Sequence, residues 1–179
     1  GGTAGGRGGS RSSGTHGRAA APEAVKLRSV EPKRSVRRET GIGELDRVLG
    51  GGAMAGATVL IGGEPGIGKS TLMLQAAAEL SRRSKVVYIS GEESAQQIRL
   101  RAERLGASQT ELELLCETNL NLILDHLSSR RPEVVIVDSI QTVFSDEAGA
   151  VPGTVGQIKY ATHELVEWTR GLDASLFMV

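Results

Sequence analysis

The strongest constraint in the chain is the stretch Gly63-Glu64-Pro65-Gly66-Ile67-Gly68-Lys69-Ser70, which reads G-x-x-x-x-G-K-S and is followed by Thr71. An apolar run, Thr58-Val59-Leu60-Ile61, enters it, and a helix-forming run from Leu72 to Leu80 leaves it. A strand that turns through glycines into a helix aims several backbone N–H groups and the positive helix end at one point, where a β-phosphate fits. In that setting Lys69 reaches the β- and γ-phosphates as a point charge, the Ser70 hydroxyl is a Mg²⁺ ligand, and Thr71 is placed for the α-phosphate. The competing reading is a glycine-rich turn with an incidental lysine. It would have to produce four fixed positions in a strand-to-helix context by accident, so a nucleoside triphosphate site is expected over residues 63–71.

The elements around this loop alternate. Thr40 to Gly52 carries Leu45, Val48 and Leu49 at helical spacing and then three glycines that end the helix. A strand is expected over 57–61 and a helix from about 69 to 81. Val86-Val87-Tyr88-Ile89 is a continuous apolar run, the mark of a parallel strand buried on both faces. Ser94 caps the next helix, with Gln97 at capping-box spacing and Ile98, Ala102 and Leu105 as its inward stripe. A shorter strand over 112–116 and a helix on Leu120, Ile123, Leu124 and Leu127 follow, the helix ending near Arg130-Arg131-Pro132. Val134 to Val137 is the most apolar strand. Residues 145–153 read as a loop, Val155, Ile158, Thr162, Leu165 and Trp168 as a long helix, and 175–179 as a last strand. The pattern predicts an α/β domain with a mostly parallel sheet, whose ligands sit at the carboxyl ends of the strands. Gly63, Glu92 and Asp138 all fall there.

With one Trp, two Tyr and two Phe, the core has to be built from aliphatic side chains, enough for one domain. Charge divides the chain. Residues 1–38 hold nine Lys/Arg against two Glu, a net +7 that leaves −7 on the rest of a chain whose total is zero. Eight of the 24 glycines fall in the first seventeen residues, so a disordered basic tail over 1–38 is expected ahead of a core over 39–179. A flexible linker explains that composition; a transit segment or a basic arm for nucleic acid are the rival readings. The single Cys116 excludes an internal disulfide and a four-cysteine zinc module, fits a reducing compartment and a cytoplasmic location, and is expected in the core. No apolar run has the length of a membrane span.

Two acidic positions carry the expected chemistry. Asp138, directly after four buried β-branched or aliphatic residues, is placed as the carboxylate that holds Mg²⁺ through its water shell, against the alternative of a turn cap. Glu92, at the end of the neighbouring strand, is the candidate for orienting and deprotonating the attacking water, with Glu93 as its rival. Either could instead be a negative charge at the start of the helix after Ser94. His16, His126 and His163 have no carboxylate or cysteine cluster near them in sequence, so packing or solvated roles are expected.

Four stretches together, residues 40–52, 63–71, Tyr88-Ile89-Ser90-Gly91-Glu92-Glu93-Ser94 and Val137-Asp138-Ser139-Ile140-Gln141-Thr142, resemble the bacterial RadA (Sms) family of RecA-type ATPases. The resemblance covers residues 40–179. It implies a RecA-like P-loop core, ATP and Mg²⁺ as ligands, and the match of Glu92 to the water-activating glutamate. It also implies DNA-dependent ATP hydrolysis in repair and recombination, with branch migration by homo-hexameric rings on single-stranded DNA and a RecA-type recombinase as a candidate partner. Members of the family begin with a four-cysteine zinc module and continue into a further core strand, a Lys-Asn-Arg-Phe-Gly motif and a Lon-protease-like domain. This sequence is therefore expected to be the nucleotide-binding front of such an ATPase, truncated within the core. Another RecA-type ring ATPase, related to replicative helicases or to clock proteins, and a module that holds nucleotide without turnover are the alternatives.

Overall fold

The computed structural model describes residues 1–2, 22–32, 34–149 and 151–179, and the chain divides into two units, Gly1–Arg34 and Ser35–Val179. In the first, residues 22–32 are exposed and contain one 3-10 turn, Leu27–Ser29. Most of the segment expected to be disordered, residues 3–21 and 33, lies outside the described residues.

The second unit starts earlier than composition suggests. Strand β1, Arg37–Arg38, pairs antiparallel with β2, Ala53–Met54, across the short helix α1, Gly43–Val48. The two arginines are structural. Arg37 Nη1 donates to the Leu49 carbonyl at 2.8 Å, and Arg38 Nη1 donates to Ser175 Oγ at 3.2 Å. They were counted with the tail because their charge resembles it, yet both are held by the folded unit.

The main sheet alternates with helices as the periodicity requires: β3 Thr58–Leu60, α2 Lys69–Leu80, β4 Val86–Ser90, α3 Ala95–Arg104, β5 Glu113–Cys116, α4 Leu120–Arg130, β6 Val134–Asp138, α5 Val155–Leu172 and β7 Ser175–Met178. Its order is β3-β7-β6-β4-β5 and every pair is parallel, a RecA-like α/β core. Side chains alternate between the two faces. Val86, Tyr88, Val134, Ile136 and Phe177 enter one core with α2 and α3, while Val87, Ile89, Val135, Val137 and Leu176 enter the other with α4 and α5. The chain moves outward from β3 through β4 to β5 with helices on one face and returns through β6 to β7 with helices on the other, as right-handed crossovers demand. This places the ends of β3, β4 and β6 along one carboxyl edge.

One expectation fails on packing. Cys116 is exposed: it is the last residue of β5, the edge strand of the sheet, paired with β4. The long helix forms as expected, with Leu165 buried and Ile158 and Trp168 packed against the core. Its fully buried line is Gln157, Ala161, Leu165 and Thr169, whereas Val155 is 67% exposed. Gln157 can be buried because its amide is satisfied by one backbone unit, accepting from Ser145 N at 2.9 Å and donating to Ser145 O at 2.8 Å.

Candidate nucleotide site

A cleft of about 390 Å³ opens at the carboxyl edge of the sheet, lined by Pro65, Gly66, Gly68, Lys69, Ser70 and Thr71 on one wall and by Glu92, Asp138, Ser139, Gln141 and Val179 on the other. The first wall follows from backbone geometry. Gly68 caps α2 in the left-handed region (φ 96), and α2 begins at Lys69 with no capping side chain. The first N–H groups of an α-helix have no intrahelical acceptor, so those of Lys69, Ser70 and Thr71 are available at the positive helix end. Lys69 Nζ lies back along the loop, donating to the carbonyls of Gly63 and, at 3.1 Å, of Glu64. Gly63, Glu64 and Ile67 are not among the residues that line the cleft: the first two are carbonyl acceptors for Lys69 Nζ, and Ile67 is 64% exposed.

The second wall is made of side chains anchored in the core. Register places Tyr88 opposite Ile136 and Ser90 opposite Asp138, so Tyr88 and Asp138 lie on the same face two residues apart, within reach of a long side chain. The Tyr88 hydroxyl donates to Asp138 Oδ2 at 2.6 Å. Burial, and then the adjacent Asp138 charge, raise the phenol well above its ordinary value, which keeps it a proton donor. One turn later the two neighbouring glutamates part. Glu92 faces the cleft. Glu93 is held away from it by Arg101 of α3, Oε2 to Nη2 at 2.9 Å, while its N–H donates to Ser90 Oγ at 3.1 Å. Ser94 and Gln97 form the expected capping box at the start of α3.

A close approach locks the β4 and β6 ends together. A Cβ on Gly91 would fall 1.9 Å from Thr142 Oγ1 and 2.5 Å from Thr142 Cβ. Gly91 N donates to the Asp138 carbonyl at 3.2 Å, and Thr142 Oγ1 donates to the Ser139 carbonyl at 2.7 Å. The Asp138–Ser139 peptide is cis.

The donor set fits Mg²⁺. Among the described residues no group of three or more His, Cys, Asp or Glu could cage a metal, and one hydroxyl plus one carboxylate in a phosphate cleft suits an ion that keeps waters and takes phosphate oxygens. Sequence reasoning missed Tyr88, Ser139 and Gln141. Tyr88 left a signal, as the one aromatic in an aliphatic strand that leads to the Ser-Gly-Glu-Glu turn. The loop after β6 holds a 3-10 turn, Asp146–Ala148, and is tied to α5 by Tyr160 donating to Glu147 Oε2 at 3.0 Å. Lys159 is exposed, as is His163, while His126 is half-buried. Among the described residues no helix is long and apolar enough to cross a membrane.

Fold and cleft together define a P-loop ATPase domain of the RecA-like kind, and the family model described as "ATPase: KaiC" matches residues 38–133. The chain belongs to that ATPase family. It is similar to the DNA repair protein RadA of Treponema pallidum (strain Nichols), 51% identical over 155 residues that make up 87% of this chain and 34% of that protein. It is also similar to the proteins of the same name from Brucella abortus (strain 2308), 49% identical over 146 residues, 78% of this chain and 31% of that protein, and from Streptococcus pneumoniae (strain ATCC BAA-255 / R6), 46% identical over 155 residues, 87% and 37%. The chain spans about a third of the length of these curated relatives.

Proposed function

We propose that this chain is the nucleotide-binding part of a DNA-dependent ATPase of the RadA kind, which binds ATP with Mg²⁺ and hydrolyses it during DNA repair and recombination. The observation that carries the reading is the meeting, in one cleft, of the phosphate-loop wall with Glu92 and Asp138. The backbone N–H groups at the start of α2 hold the phosphates, and Lys69 leaves its carbonyl partners to meet the β- and γ-oxygens. Ser70 and Asp138 are the residues that would hold Mg²⁺, Asp138 through its water shell, and the ion would supply charge neutralisation at the phosphate oxygens. Glu92 orients water and takes its proton as the water oxygen attacks the γ-phosphorus and the bond to the bridging oxygen breaks. Glu93 is engaged by Arg101 and serves structure.

Glu92→Gln should bind ATP like the wild type and lose turnover by about 10²- to 10⁴-fold, while Glu93→Gln keeps turnover. The opposite pattern moves the base by one residue. ATP binding without any wild-type turnover would favour the non-hydrolysing module.

Homo-hexameric rings on single-stranded DNA, a RecA-type recombinase as partner and a cytoplasmic location belong to the same reading. The loop over 145–153 is acidic, with Asp146 and Glu147 both exposed, and cannot supply the phosphate attraction that dominates nucleic-acid affinity. Lys159, exposed near the start of α5, and the basic residues ahead of Ser35 are the sources of DNA contact in this chain. Deleting residues 1–34, which spares β1, should remove most of a weak, steeply salt-dependent binding to single-stranded DNA. Tight, salt-insensitive binding by the shortened chain would contradict this.

A further inference from the structure

We infer that Tyr88 is a positioning residue for the Asp138 carboxylate, and that with Arg101 it fixes this carboxylate relative to the Glu92-Glu93 turn. The inference deepens the proposed nucleotide site and rests on Asp138 being its metal-side carboxylate.

Tyr88 is fully buried in a strand whose other core residues are Val86, Val87 and Ile89. Packing alone would be served by another aliphatic side chain, and a buried phenol needs a partner for its hydroxyl. Here the partner is Asp138 Oδ2, at 2.6 Å. Asp138 itself is half-buried and lines the cleft, so a donor bound to one oxygen from the core side fixes the plane of the carboxylate and leaves the other oxygen to the cleft. Partners of this kind orient metal-side carboxylates and matter nearly as much as the ligands they hold.

The second observation lies behind the hydroxyl. The Arg101 guanidinium pairs with Glu93 at 2.9 Å, and its charge bears on the Tyr88 phenol. Its side chain is only 13% exposed, and its Nε is buried with no protein acceptor. A guanidinium kept in place with one donor unmet is held by its ion pair with Glu93. The Asp138–Tyr88 hydrogen bond across β6 and β4 and the Arg101–Glu93 pair from α3 are therefore coupled through the Arg101 charge at Tyr88, and the second pair ends next to the residue proposed as base. A shift of the Glu92-Glu93 turn would be felt at the Asp138 carboxylate through this coupling.

The test measures binding of a fluorescent ATP analogue over a range of Mg²⁺ concentrations, with urea unfolding as the check on folding. Tyr88→Phe keeps the ring and removes only the donor. It should bind nucleotide without Mg²⁺ as the wild type does, while the Mg²⁺ concentration that gives half the metal-induced gain in affinity rises about 10-fold. Arg101→Gln should shift the same midpoint in the same direction, and serves as the readout if Tyr88→Phe does not fold. Asp138→Asn separates the two levels of the argument. If it leaves the Mg²⁺ midpoint unchanged, the metal-side reading of the cleft is wrong. If it moves the midpoint and Tyr88→Phe, or Arg101→Gln in its place, does not, the positioning role is overturned.

Discussion

On the phosphate-loop side of the cleft, the wall is made by backbone N–H donors of residues that are exposed or half-buried, and Lys69 Nζ donates to two loop carbonyls. On the carboxylate side, Asp138 ends a strand whose four preceding residues are fully buried, its oxygen is gripped by a fully buried tyrosine, and Gly91 leaves no room for a methyl group. The first wall is fixed by the local path of the chain, the second by the packing of elements about fifty residues apart. Side-chain substitutions on the first wall that leave its backbone path intact should therefore change binding and spare the fold, and substitutions on the second should change stability as well.

The largest stability effect is expected at Gly91. Gly91→Ala drives a Cβ into Thr142 and should cost about 1–3 kcal/mol of unfolding free energy, as overpacking does. Adding Thr142→Gly should recover most of that loss. A neutral Gly91→Ala in urea unfolding would show that the two ends are less tightly joined than the 1.9 Å approach implies.

Gly68 offers the matching test on the other wall. No atom lies within 4 Å of a Cβ built there, but its φ of +96 lies where side chains are strained. Gly68→Ala should cost about 1–2 kcal/mol from backbone conformation alone, with no neighbouring substitution able to rescue it. A rescue would mean that this wall too is governed by packing.

The smallest effect lies away from both walls. Arg130 grips Glu113 with two hydrogen bonds, 3.0 and 2.6 Å, and holds its carboxyl below the ordinary range. A depressed folded value means the pair's contribution is present above the unfolded pKa, about 4.3 for Glu, and is lost as pH falls through the folded value. Glu113→Gln should slightly shrink the drop in stability between about pH 5 and pH 3, leaving Gly91→Ala equally costly at both. Because the pair is partly solvated, the change is small. An unchanged acid limb would place Glu113 outside the linkage.

The same contrast explains what could be read in advance. The phosphate loop, the capping box at Ser94 and the buried strands β4 and β6 were legible because each depends on one short stretch and its period. The grip of Tyr88 on Asp138 was not, because it exists only once β4 and β6 are in register. The helix α5 was legible from Ile158, Leu165 and Trp168, which do meet the core, but the burial of Gln157 was not, because its amide closes the loop start at Ser145. Cys116 was misplaced because its apolar neighbours gave no sign that β5 is an edge. Arg37 and Arg38 read as tail charge because their carbonyl and hydroxyl acceptors are distant in sequence.

The most direct test is calorimetric titration of ATP, with Mg²⁺ present, into the wild-type chain and Lys69→Ala. The wild type should bind at one saturable site, and the variant should lose about 10- to 100-fold in affinity, the worth of a charge-assisted contact, with its unfolding midpoint unchanged. Lys69→Ala binding as tightly as the wild type, or a wild-type chain that takes up no ATP, would contradict a nucleotide site at this loop.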